Sequence, residues 1–271
     1  MIYLLAHALK PKKALVLTPA FSEYRRALQQ VGCVVDEFSL AADADFSFDA
    51  EAVLQAVHKK TDRVFVANPG NPTGGGIERK EIQKLVDALP DSTLLVVDEA
   101  FIDFCPEKSV IEEVAERKNL LVLRSLTKFY AIPGLRVGYL AGADEQVRQL
   151  SSLSKPWDLS TPAIAAARAC LLEDEYRQRT LKLIPQWRQQ LIDGFNALDL
   201  RVYPSSANYL LLRLPQSGRT AGMVARVLHQ QGILIRDCSD FASLDERYLR
   251  VAVRGAQENL RLLSGIKGVL L

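Results

Sequence analysis

The first 150 residues alternate between short runs dense in Val, Leu and Ile and longer amphipathic stretches. Six runs are strand-sized: Ala14 to Leu17, Cys33 to Glu37, Arg63 to Ala67, Leu94 to Asp98, Leu120 to Arg124 and Val137 to Ala141. Leu94-Leu95-Val96-Val97 shows no polar alternation, the pattern of a strand covered on both faces. Helical stretches fill most of the gaps, so the order predicts an α/β domain built on a mostly parallel, doubly wound sheet. Met1 to Leu9 reads as a helix. Thr161-Pro162, with proline suited to a first helical turn, opens a long helical pattern that reaches about Asn196 and that Pro185 is expected to kink. Beyond it, Leu200 to Tyr203, Tyr209 to Arg213, Ile233 to Arg236 and Tyr248 to Val253 predict strands. Gly218 to Gln231 and Ala256 to Ile266 predict helices. The expected division is a large domain over 1–160, a linking helix over 161–197 and a small α+β domain over 198–271.

Length and composition narrow the class. A chain of 271 residues with 48% hydrophobic content suffices for one sizeable core and a smaller lobe. A dispersed net charge of +2 argues against a nucleic-acid or membrane surface as partner, and no stretch approaches the roughly 18 apolar residues of a spanning helix. The segment Met1 to Leu9 has no basic residue ahead of its apolar part and no small-residue cleavage site, unlike a secretory signal. Cys33, Cys105, Cys170 and Cys238 are scattered without CxxC spacing, which favours free thiols in a reducing cytoplasm. His7, His58 and His229 lie far apart without ligand spacing, so no metal site is expected.

The candidate chemistry sits at the ends of the predicted strands. After Leu120 to Leu123 the chain reads Ser125-Leu126-Thr127-Lys128, then passes a Pro133-Gly134 turn to Arg136, eight residues beyond the lysine. A lone lysine in a turn is ordinarily solvated, but an amine can also hold an aldehyde cofactor covalently, and a guanidinium can grip a phosphate in a forked hydrogen bond. The run Leu94 to Val97 ends in Asp98-Glu99, placing a carboxylate at the carboxyl edge where open α/β sheets bind ligands. There Asp98 would hold a pyridinium nitrogen protonated, so that the ring accepts electrons from a breaking bond at the substrate Cα. Arg63 to Ala67 runs into Asn68-Pro69-Gly70-Asn71-Pro72-Thr73-Gly74, an ordered turn in which the Asn71 amide can donate to a ring oxygen. Gly74-Gly75-Gly76 lacks the spacing of either nucleotide-binding glycine motif.

Asn71-Pro72-Thr73-Gly74, Asp98-Glu99-Ala100 and Ser125-Leu126-Thr127-Lys128 with Arg136, in that order, resemble the class I/II aminotransferase family, fold type I of the pyridoxal phosphate enzymes. The resemblance covers nearly the whole chain. It implies Lys128 as covalent anchor of pyridoxal 5'-phosphate, Asp98 on the ring nitrogen and Asn71 on the ring oxygen. It also implies Ser125 and Arg136 on the cofactor phosphate, Arg250 on the substrate α-carboxylate, Phe21 stacked on the ring, and a homodimer. Read as a residue alone, Phe21 is equally a core side chain at a helix start. Many relatives carry Tyr where this chain has Phe101, and Phe cannot hydrogen-bond the ring oxygen. The stretches Gly232 to Phe241, Tyr248 to Arg254 and Asp98 to Phe104 resemble the threonine-phosphate decarboxylases of cobalamin synthesis, close relatives of the histidinol-phosphate aminotransferases. Both groups take small phosphorylated amino-acid-like substrates. Arg236 is then the candidate for the substrate phosphate, against the plainer reading of a strand-edge arginine in a salt bridge. Arg254 has no assigned role.

Family members carry an N-terminal arm and a Gly-Ser-type turn ahead of a helix whose amides clamp the cofactor phosphate. Here Met1-Ile2-Tyr3-Leu4 reads as the inside of that helix, so the arm and half of the phosphate cradle are expected to be absent. The expected function is decarboxylation of threonine phosphate; the alternatives are amino transfer on histidinol phosphate or a related amino acid, and a non-catalytic homologue.

Overall fold

The structure is a computed structural model that describes residues 1–216 and 218–270; Ser217 and Leu271, both within the expected small domain, lie outside the described residues. Ten helices and ten strands among the described residues carry the architecture. The larger lobe runs α1 (Ile2–Leu9), β1 (Lys13–Thr18), α2 (Glu23–Gln30), β2 (Val34–Ser39), α3 (Ala50–Ala56), β3 (Arg63–Ala67), α4 (Arg79–Ala88), β4 (Leu94–Glu99), β5 (Leu120–Ser125), α5 (Leu126–Phe129), β6 (Gly138–Gly142) and α6 (Asp144–Ser152). Its six strands lie in the order β2-β1-β3-β4-β5-β6; five are parallel and β6 runs antiparallel to β5.

The strand period of two splits each apolar run between two cores. Leu15 and Leu17, Val64 and Val66, Leu95 and Val97, Leu120 and Val122 enter a cluster on one face with Ile82 and Leu85 of α4. Their neighbours Ala14 and Val16, Phe65, Leu94 and Val96, Leu121 and Leu123 enter the cluster on the other face with Leu5 of α1, Tyr24 and Leu28 of α2 and Leu150 of α6. This is why the runs show no polar alternation. Each Val, Leu, Ile or Phe among them contributes about 1.5–3 kcal/mol on burial, enough in aggregate to hold the sheet as a rigid platform.

The second lobe follows α7 (Thr161–Leu171) and α8 (Asp174–Asn196), and comprises β7 (Arg201–Val202), β8 (Tyr209–Arg213), α9 (Ala221–Gln230), β9 (Arg236–Asp237), β10 (Tyr248–Ala252) and α10 (Ala256–Leu270). Its strands pair antiparallel in the order β7-β8-β10-β9. Leu191 and Phe195 of α8 pack with Leu210, Leu212, Leu249 and Val251 in its core.

Three details depart from the sequence expectation. The continuous helix expected over 161–196 is two helices, interrupted at Leu172-Glu173, and Pro185 lies inside α8. The strand expected at Ile233 to Arg236 shrinks to Arg236–Asp237. The amides of Gly232 (φ +70°) and Ile233 close the end of α9 by donating to His229 O and Leu228 O, so 233–235 serve to carry the chain from that helix to the sheet edge. The helix expected from Gly218 begins at Ala221, because the Thr220 hydroxyl accepts from the Met223 amide and caps it. No helix among the described residues is long and apolar enough to cross a membrane.

Candidate active site

β3, β4 and β5 end level with one another, since Ala67 pairs with Asp98 and Glu99 with Arg124 in register. Parallel strands aligned in this way deliver their following turns to a single edge, and there a cleft of about 380 Å³ opens. Its lining includes Phe21, Asn71, Asp98, Ser125, Lys128, Arg136 and Arg250, so seven of the eight side chains singled out from sequence converge in one place. Arg236 is the eighth and does not line the cleft. Its guanidinium is exposed, bonded to both carboxylate oxygens of Asp240 at 2.9 and 2.6 Å, and lies 5.5 Å from the Phe241 ring centre. It does face Arg250 directly across the β9–β10 pair, which places the two side chains on one face of the sheet.

Asp98 is the penultimate residue of β4, and its Oδ1 accepts from the Ala100 amide at 3.0 Å while Oδ2 accepts from the Tyr24 hydroxyl at 2.6 Å. Burial pushes this carboxyl above its ordinary range, opposed by those two donors and by the positive charge of Lys128. Lys128 lies on the short helix α5, half-buried, with Nζ 6.0 Å from the Phe101 ring centre. Its amine is held below the usual lysine value, first by burial and then by the charge of Arg136, with Asp98 acting the other way. A lysine so placed is a better nucleophile near neutral pH than one in solvent. Ser125 Oγ lies 2.8 Å from Thr127 Oγ1, beside the lysine.

Arg136 adopts a left-handed backbone (φ +50°) at the end of the Pro133–Leu135 turn, and its Nη1 donates to Pro133 O at 2.9 Å. That conformation is uncommon for a non-glycine residue, and the side chain lines the cleft together with Lys128. The turn is anchored beyond it at Gly138, where an added Cβ would stand 2.4 Å from Arg124 O.

The turn 68–76 is fixed from both sides. Asn68 is fully buried and bonds Ile77 N and O and Lys108 O through its side chain, substituting for backbone pairing. From the smaller lobe, Tyr209 Oη donates to Gly70 O at 2.6 Å and Ser206 N donates to Gly74 O at 2.8 Å. Gly74 has φ +78°, and a Cβ there would meet Ser205 Oγ at 2.4 Å, so both the backbone and the contact require glycine. Arg250 reaches over from β10: its Nη1 donates to Asn71 Oδ1 at 2.5 Å and its guanidinium lies 4.9 Å from the Tyr209 ring centre. The aromatic candidate Phe21 is 38% exposed at the cleft and meets Tyr24 edge-on, with ring centres 6.0 Å apart.

Tyr24, Tyr209 and Arg124 were not anticipated as site residues. Tyr24 follows Phe21 by three positions, one helical turn, a signal available only once Phe21 is suspected. Arg124 lines the cleft but is neutralised beneath it by Glu99 and Asp103. Lys128, Arg136 and Arg250 have no carboxylate ion-pair partner among the described residues, so the cleft favours an anionic ligand. The cysteines take no part: burial raises Cys105 and Cys238 to about 12, leaving both as unreactive thiols. Arg254 is exposed and paired with Glu258.

The donor set suits pyridoxal phosphate. A nucleophilic amine shares the cleft with a half-buried carboxylate, fit to hold a ring nitrogen proton, and a hydroxyl and arginine fit to hold a phosphate; one face is bounded by Phe21.

Comparison with known proteins agrees. The chain is 39% identical over 273 aligned positions to the threonine-phosphate decarboxylase of Salmonella typhimurium, covering 99% of this chain and 74% of that one. It is 34% identical to the histidinol-phosphate aminotransferase of Methanocella arvoryzae over 92% of this chain and 68% of that one. The solved histidinol-phosphate aminotransferase of Clostridium acetobutylicum superposes with a TM-score of 0.91 at 29% identity, over 99% of this chain and 80% of that one. The family model for aminotransferase class I and II matches residues 1–266, and with the lysine, carboxylate and arginines converging as they do, the chain belongs to the class I and II aminotransferases, enzymes that work through pyridoxal phosphate.

Proposed function

We propose that this enzyme decarboxylates L-threonine O-3-phosphate to aminopropanol phosphate, a step of cobalamin synthesis carried out in the cytoplasm by a homodimer. The observation that carries the reading is the cross-strand pair Arg250 and Arg236, two arginines on one sheet face of which Arg250 lines the cleft, matched to a substrate with two anionic ends. The 39% identity to a threonine-phosphate decarboxylase supports it, and so does a weaker likeness, 26% identity over 94% of this chain, to an adenosylcobalamin biosynthesis protein of Leptospira interrogans.

The cofactor, when bound, supplies an electron sink conjugated to the substrate Cα. Lys128 anchors it and is the group placed to return a proton to the substrate. Asp98 keeps the ring nitrogen charged, and Asn71 donates to the ring oxygen, alone in this role because Phe101 has no hydroxyl. Ser125 and Arg136 hold the cofactor phosphate, and Phe21 covers the ring and excludes water from that face. Arg250 grips the α-carboxylate, and its bond to Asn71 holds the guanidinium in place. Arg236 leaves Asp240 to meet the substrate phosphate, exchanging an exposed carboxylate for a dianion.

A second reading, amino transfer on histidinol phosphate, draws on the 34% identity and the 0.91 superposition with histidinol-phosphate aminotransferases. The test is product analysis on threonine phosphate. Release of carbon dioxide with aminopropanol phosphate, with no oxo-acid required, supports decarboxylation; amino transfer that depends on an added 2-oxo acid, without carbon dioxide, overturns it in favour of the second reading.

A further inference from the structure

Outside the roles assigned above, one buried polar group points into the cleft. Tyr24 is 2% exposed, yet its hydroxyl reaches the cleft and lies 2.6 Å from Asp98 Oδ2. Its ring is fixed on both sides, 6.0 Å edge-on from Phe21 and 5.7 Å from Phe65, and Leu5, Val16 and Leu28 belong to the same cluster. The side chain therefore has one available orientation, and in it the hydroxyl has one acceptor.

We infer that Tyr24 is a positioning residue for the ring-nitrogen carboxylate: its hydroxyl holds Asp98 ionised and in a single rotamer, so that the proton shared between that carboxylate and the cofactor ring resides on the nitrogen. This rests on the assignment of Asp98 to the ring nitrogen. The geometry supports it from two directions. The Ala100 amide on Oδ1 and Tyr24 on Oδ2 occupy one lone pair of each oxygen, which stops the carboxylate rotating and leaves its remaining lone pairs for the ring. Burial in this pocket works against a charged Asp98, so without a donor the shared proton would move toward the carboxyl. The other charged or titratable groups acting on Asp98 are Lys128, the Met1 α-amino group and Tyr209. None of these bonds the carboxylate; among the described residues Tyr24 is the side chain that does so directly. Burial and the neighbouring carboxylate push the Tyr24 phenol well above its ordinary value, so it stays a donor throughout the working range. The same ring also backs Phe21, and one residue of α2 thus supports both the face and the nitrogen of the bound ring.

Tyr24→Phe removes one oxygen and leaves the ring in its apolar seat. In the cofactor-free chain, the Asp98 side-chain carboxyl followed by carbon-13 NMR should titrate at least one unit higher than in wild type, about a tenfold change in proton affinity. In the loaded enzyme, cofactor labelled with nitrogen-15 in the ring should shift toward the unprotonated pyridine signal, and kcat should fall about tenfold or more while the visible cofactor band persists. Placing 3-fluorotyrosine at position 24 strengthens the donor and should move both NMR signals the opposite way, which keeps the test decisive if the Phe variant folds poorly. An unchanged Asp98 titration, or an unchanged ring-nitrogen signal with normal turnover, overturns the inference. Failure of wild type to hold cofactor at Lys128 instead overturns the site assignment, and the carboxyl titration distinguishes the two.

Discussion

Replacing Arg250 by Lys separates the charge of this side chain from its shape. In the structure the guanidinium donates to Asn71 Oδ1 at 2.5 Å, lies 4.9 Å from the Tyr209 ring centre and lines the cleft. A lysine amine keeps the positive charge and can reach a single acceptor, but it cannot serve Asn71 and both oxygens of a carboxylate from one plane. The loss is then about one charge-assisted hydrogen bond, roughly 1.5–3 kcal/mol, which at tenfold per 1.36 kcal/mol raises KM for the amino-acid substrate about 10- to 150-fold. The assay compares KM for threonine phosphate with the inhibition constant of aminopropanol phosphate, which has the same phosphate and amine but no carboxylate. The inhibition constant should stay nearly constant while KM rises, with cofactor affinity from the visible band unchanged. Equal weakening of both ligands would refute the reasoning, because it would mean that Arg250 acts through the turn at Asn71 or through the lobe contact and not on the carboxylate.

Lys128→Ala should abolish the visible band and borohydride trapping while leaving the melting transition nearly unchanged, since the half-buried side chain lines a cleft and fills no core; trapping at another lysine by mass spectrometry would displace the assignment. Arg236→Ala should raise KM for a phosphorylated substrate far more than for its unphosphorylated analogue, and equal losses would return Arg236 to its salt bridge with Asp240. Arg136→Gln removes the second-largest influence depressing the Lys128 amine, after burial, so the amine should titrate at higher pH in the cofactor-free variant; NMR of carbon-13-methylated lysines reads this, and no upward shift would sever the link between the two residues.

The apolar runs by themselves determined the platform. Arg63 to Ala67 and Tyr209 to Arg213 end where the pattern ends, because a fully buried strand stops where its chain must turn and expose polar backbone groups. The candidate residues were legible for a related reason: Asn71, Asp98, Ser125 and Lys128 lie at or shortly past the carboxyl ends of strands whose parallel order sends those ends to one edge. Elements held by few local constraints were not legible. Residues 233–235 have strand composition, yet Leu234 is 80% exposed, because the distance from the end of α9 to the sheet edge is set by tertiary packing and not by propensity. The same holds for Tyr24 and Asp98, 74 residues apart, and for Arg250 and Asn71, 179 apart. Sequence fixes what each side chain can donate or accept, but which donor meets which acceptor depends on the relative placement of α2, β4 and β10. That placement comes from packing summed over two cores, so the partners of Asp98 and the orientation of Arg250 were decided only by the tertiary structure.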